Sequence, residues 1–151
     1  MNRIVACFLG IILWVGLSQC NVTSNGNEDG PAPVGVSKTE LLAGTQSREW
    51  RLTSSLIDGR EVFQQAQPCV RDDKWVFRVN KTYEINEGLT KCRTQDPQVY
   101  ETGTWKFGAA EAELILNETA RYKIITLNTS TLRISIRNVF GETEELTFTN
   151  Q

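Results

Sequence analysis

Lys74-Trp75-Val76-Phe77-Arg78-Val79-Asn80-Lys81-Thr82-Tyr83-Glu84-Ile85 reads as two β-strands joined by a tight turn. Trp75, Phe77 and Val79 share one side of the first strand, with Lys74, Arg78 and one apolar exception, Val76, on the other. After Asn80-Lys81 the pattern resumes at Tyr83 and Ile85. Side chains two positions apart point the same way from a strand, whereas a helical face needs spacings of three and four. The period therefore predicts a hairpin with one apolar face. Upstream, Trp50, Leu52 and Leu56 alternate with Arg51 and Thr53. Downstream, Gly103, Trp105 and Phe107 continue the series, followed by Leu114 and Leu116, Tyr122 and Ile124, Leu132, Ile134 and Ile136, and lastly Leu146 and Phe148. Asp58-Gly59, Asn117-Glu118, Asn128-Thr129 and Phe140-Gly141 supply turn chemistry between them, and from Tyr100 onward the connections suit a meander of hairpins. About eight antiparallel strands with one apolar face can remove their edges by closing on themselves, so the expected fold is all-β, an up-and-down barrel lined by that face. Ser37-Lys38-Thr39-Glu40, followed by Leu41-Leu42 and a stop at Gly44, fits a capping box and predicts a short helix able to plug one barrel end.

The chain has 151 residues, one domain's worth, with 16 basic and 18 acidic residues and a net charge of -2. That balance offers nothing for nucleic acid. Histidine is absent, which removes the commonest general base near neutral pH and the commonest metal ligand. Serines and threonines are plentiful, yet no Gly-x-Ser-x-Gly elbow accompanies them. No enzyme, metal or cofactor is expected.

Arg3 followed by the apolar run Ile4 to Leu17 reads as a secretory leader, too short to span a bilayer, which takes roughly 20 apolar residues. Leu17-Ser18-Gln19-Cys20 resembles the bacterial lipobox, which implies lipid attachment to Cys20 and cleavage before it. Gln19 departs from that pattern, because the family prefers Gly, Ala or Ser there; cleavage after Ser18 by the general signal peptidase, giving a secreted protein, is the alternative. Of 4 cysteines, Cys7 leaves with the leader and an odd number remains, so Cys20 is the natural unpaired one. Residues 20–36 turn to Asn, Gly, Ser, Pro and acid, as a flexible tether would. The expected organisation is a signal peptide over 1–19, a linker over 20–36 and a barrel over 37–151, with the chain lipid-anchored to the outer membrane on either face.

From Leu41 to Phe148 the residues resemble the lipocalin-like domains of bacterial lipoproteins, relatives of the calycin barrels. The resemblance rests on Leu41-Leu42-Ala43-Gly44, Trp50-Arg51-Leu52, Cys69 with Asp72-Asp73, Cys92, Asp96-Pro97, Thr102-Gly103-Thr104-Trp105-Lys106-Phe107 and Glu145-Leu146-Thr147-Phe148, in that order. It implies fold and compartment more than activity. Gln46 to Glu49 intervene before Trp50 where the family has a closer Trp, so the first strand is expected to start shifted or with a bulge.

Cys69 and Cys92 flank the hairpin and are expected to pair; a redox or metal-binding role lacks both Cys-x-x-Cys spacing and His. Asp72-Asp73 beside Lys74 invites an acid/base or calcium reading, but neighbouring strand residues face opposite ways and carboxylates before a strand commonly cap turns. Asn21, Asn80, Asn117 and Asn128 each begin an Asn-x-Ser/Thr triplet, and under the bacterial reading they are turn residues. Trp75, Phe77, Tyr83, Trp105, Phe107 and Tyr122 share the apolar register and are the candidate contacts for a small hydrophobic ligand. A barrel of this size is just wide enough to be filled by side chains or to hold one such molecule, and a stripe of this kind is more often plain core. Three readings follow: a carrier with a cavity of several hundred cubic ångströms, an interaction module with a filled barrel and an exposed apolar patch, or a calycin-like protease inhibitor.

Overall fold

A computed structural model describes residues 35–150. The leader, Cys20 and most of the tether lie outside the described residues. Helix α1 spans Lys38–Ala43, and the Ser37 Oγ accepts the Glu40 backbone N–H at 3.1 Å, one half of the expected capping box. Gly44 ends the helix with φ 65°, a left-handed value glycine adopts at little cost. Leu41, Leu42 and Ala43 are buried, so the helix does close one end of the barrel.

The eight expected strands all form. They are β1 (Ser47–Ile57), β3 (Lys74–Arg78), β4 (Thr82–Asn86), β5 (Val99–Phe107), β6 (Glu113–Leu116), β7 (Ala120–Leu127), β8 (Thr131–Arg137) and β9 (Thr143–Asn150). A two-residue β2 (Arg60–Glu61) folds back on the end of β1 across the Asp58-Gly59 turn. Each of β3 to β9 pairs antiparallel with its neighbour in sequence, and β1–β3 and β1–β9 pairing closes the ring. Its interior is packed around Trp50, Phe77, Trp105, Leu132, Ile134 and Phe148, the core that the alternation foretells.

The first strand begins at Ser47 and pairs regularly with β3 from Ser47 to Arg51, so its early residues carry no bulge. The irregularity lies further along, between Leu52 and Ser54, against β9. One extra residue at a bulge swaps the faces beyond it. Leu56, expected to point inward with Trp50 and Leu52, is opposite Glu145 and in register with the outer face, while Ser55 is opposite the buried Leu146. Val79 is a second correction. β3 stops at Arg78 and the chain turns through Lys81 at φ 69°, leaving Val79 42% exposed outside the strand rather than in the inward stripe.

Between β2 and β3 run a 3-10 turn (Phe63–Gln65) and helix α2 (Pro68–Arg71), and between β4 and β5 a loop over residues 87–98. The Cys69–Cys92 disulfide forms as expected and ties α2 to that loop. Asp72 caps the loop from below: its Oδ2 accepts the backbone N–H groups of Leu89 and Thr90 and the Thr90 hydroxyl, each at 2.9 Å. Asp73 points elsewhere, to the Tyr100 hydroxyl at 2.7 Å, so the two neighbouring carboxylates do not converge. Asn80 and Asn128 accept the N–H two residues on, as turn asparagines do.

Candidate functional site

The two ends of the barrel are built differently. At the helical end the Trp50 Nε1–H donates to the Leu42 carbonyl at 2.8 Å, and the Trp105 Nε1–H donates to the Arg78 carbonyl at 3.1 Å. The Lys81 ammonium lies 3.9 Å from the Trp105 ring centroid. Phe77 meets Trp105 edge-on at 6.0 Å, and Phe107 packs on Trp105 at 5.4 Å. These contacts leave no room for a guest.

Toward the opposite end the interior opens into a cavity of about 200 Å³. Its apolar walls come from Trp75 on β3, Ile85 on β4, Leu116 on β6, and Ala120 and Tyr122 on β7. Trp75 and Tyr122 meet edge-to-face across it, 6.1 Å between centroids. Tyr83 contributes its hydroxyl, which donates a short hydrogen bond to the Glu101 carboxylate and accepts the Asn117 Nδ2–H at 2.9 Å. Burial, and then the bond to Glu101, raise the Tyr83 pKa well above its ordinary value, so the phenol is a neutral donor at any physiological pH.

Glu101 is in this wall because β5 alternates. Trp105 and Gly103 face inward, and two residues earlier the same side belongs to Glu101, opposite Ile85. Asn117 is there because Gly103 has no side chain: a Cβ at 103 would lie 1.9 Å from the Asn117 Oδ1. Asn117 itself turns at φ 47°, and its Oδ1 accepts the Thr104 N–H at 3.0 Å. A glycine in one strand thus admits a polar side chain from the next hairpin, and the trio Tyr83, Glu101 and Asn117 gives an otherwise apolar cavity one hydrogen-bonding corner.

Of the six stripe aromatics, Trp75, Tyr83 and Tyr122 line the cavity, while Phe77, Trp105 and Phe107 do not. Glu101 and Asn117 were missed in the sequence, although counting back by two from Trp105 puts a carboxylate in the apolar register. The volume is below the roughly 300–1,000 Å³ common for ligand sites, so most of the barrel is filled and only its open end is free. A family model described as a lipocalin-like domain matches residues 44–134, more than half of the chain. No curated protein matches it.

Proposed function

The chain belongs to the lipocalin-like domain family, and on that premise we propose that it is a non-enzymatic binder of a small, largely apolar molecule at the open end of its barrel. The cavity bounded by Trp75, Ile85, Leu116 and Tyr122 carries this reading. Its walls reward burial of apolar surface, and the Tyr83–Glu101–Asn117 corner orients a ligand bearing one hydroxyl or amino group. A guest of one ring or a short chain suits its size. Titration with benzyl alcohol, followed by tryptophan fluorescence, tests it. Saturable quenching that disappears in Trp75→Phe or weakens in Tyr122→Ala supports the site, and a linear response in wild type refutes it.

We further propose that the domain is exported and held at the cell envelope by lipid on Cys20, a reading supported by the apolar leader and by Leu17-Ser18-Gln19-Cys20. Metabolic labelling with an alkyne palmitate should mark the wild type and spare Cys20→Ser; equal labelling of both sinks this part.

A second reading, a protein-interaction module, draws on the β8–β9 turn, where Val139 and Phe140 are 94% and 84% exposed. Adjacent apolar side chains held this far into water are unusual on a surface with no partner. If Phe140→Asp leaves stability and probe binding intact yet abolishes a cross-link found in the native host, the module reading gains over the carrier.

A further inference from the structure

β1 is longer than its partner. It pairs with β3 only as far as Arg51 opposite Lys74 and with the two-residue β2 only at Leu56 and Ile57, so between them Leu52 and Thr53 border α2, the 3-10 turn and the 87–98 loop instead of a strand. A second cavity of about 510 Å³ occupies that notch, more than twice the size of the one in the barrel. Leu52, Phe63, Pro68 and Leu89 give it apolar surface. Arg51 and Arg71 line it as well.

The charges there are out of balance. The Arg51 side chain has no hydrogen bond or ion pair among the described residues. Arg71 donates through Nη1 to the Gln64 side chain at 3.1 Å and pairs with no carboxylate, and its Nε is buried without a partner. The one acid in the lining, Asp72, is 8% exposed, and its Oδ2 is engaged by Leu89 and Thr90, although its Oδ1 is unpartnered. Two arginines therefore line a notch whose one acidic residue is already committed to holding the loop, and the other carboxylate beside Arg51, that of Glu49, is paired with Lys74. An unpaired buried donor costs free energy that a bound acceptor would recover, and a guanidinium presents a fork of donors matched to a carboxylate or phosphate.

We propose that this notch is a second binding site, separate from the barrel cavity, that takes an amphiphilic organic anion: the acid group on Arg51 and Arg71, the apolar body against Leu52, Phe63 and Leu89. The two cavities then sort ligands by charge. Glu101 in the barrel corner repels an anion that the notch attracts. The disulfide from Cys69 to Cys92 joins α2 to the 87–98 loop, two walls of the notch, alongside the hydrogen bonds from Leu89 and Thr90 to Asp72.

Octanoate and 1-octanol, equal in chain length and different in charge, discriminate. Added to the full chain and followed by backbone amide NMR, octanoate should saturate with shifts at residues 51–53, 68–72 and 89–90. Octanol should bind there at least about tenfold more weakly, the usual worth of a charge-assisted contact. Arg71→Gln should weaken octanoate by a similar factor. Arg51→Gln, at a half-exposed position that leaves the core untouched, supplies the same comparison if the Arg71 variant folds poorly. Shifts centred on Trp75, Glu101 and Tyr122, equal affinity for the alcohol, no saturation, or an unaffected Arg51→Gln would each overturn the proposal. The barrel reading is judged separately by benzyl alcohol and Trp75→Phe, so either site can fail alone.

Discussion

The plugged and the open ends of this barrel are lined by the same kinds of residue in the same alternation, and they do opposite things. At the plugged end Trp50 and Trp105 are fully packed and each indole N–H has a backbone carbonyl, so the aromatic surface is core. At the open end Trp75 and Tyr122 are only partly buried, and the Tyr83 hydroxyl is held by side chains, Glu101 and Asn117, rather than by a backbone carbonyl. Alternation tells which face of a strand a residue occupies. It says nothing about height along the barrel axis, and height decides whether an aromatic is filler or wall.

The largest test of that contrast is truncation. Trp105→Ala should cost about 3–5 kcal/mol in chemical denaturation, because a large cavity opens in a core that cannot collapse around it. Tyr122→Ala removes a ring that already borders free space and should cost markedly less; equal losses would erase the distinction between the ends. Next, reducing the Cys69–Cys92 bond, which closes a separation of 23 residues, should lower stability by about 3 kcal/mol in the chain-entropy model. The melting temperature before and after reduction measures this. Amide exchange should quicken at the open end and remain slow around α1. Smaller again, Ser37→Ala removes the cap of α1 and should cost about 1 kcal/mol, with the change confined to the plugged end.

The last test is a slope with pH. Burial is the main cause that lifts the Asp73 carboxyl from 3.8 to about 6, with Glu87 and Asp72 adding to it and the Tyr100 hydrogen bond opposing it. The folded chain therefore holds this proton more tightly than the unfolded chain. Between pH 3.8 and about 6 that contribution is progressively lost as pH rises, and it is flat above. Urea midpoints for wild type and Asp73→Asn, subtracted at each pH, should show the variant gaining relative stability across this window and no further change beyond it. A difference independent of pH would mean that Asp73 does not titrate there.

Much of the fold was legible because period two is a strong local signal: every strand long enough to show two inward residues was found, and the capping box at Ser37 marked the plug. What escaped depends on placement that no local pattern carries. β2 has two residues, too short for any period. The bulge near Thr53 changes the face of Leu56 without changing its hydropathy. Asn117 enters the barrel only because Gly103, distant in sequence, leaves space, and the notch exists because β1 outruns β3. The Arg51 and Arg71 side chains read as ordinary surface charge until α2 and the 87–98 loop bring them to one cavity.

β1 also gives the molecule an order in time. Its residues Trp50 to Ile57 are hydrogen-bonded to β9, Glu144 to Asn150, so the first strand made waits for the last. Until then β1 and β8 both present raw edges, and the hairpins between them can form early without a ring to belong to. Such distant pairing makes closure the slow, committing event of folding. A chain whose β9 is not yet docked has no closed ring, and its apolar inner face stays open to water.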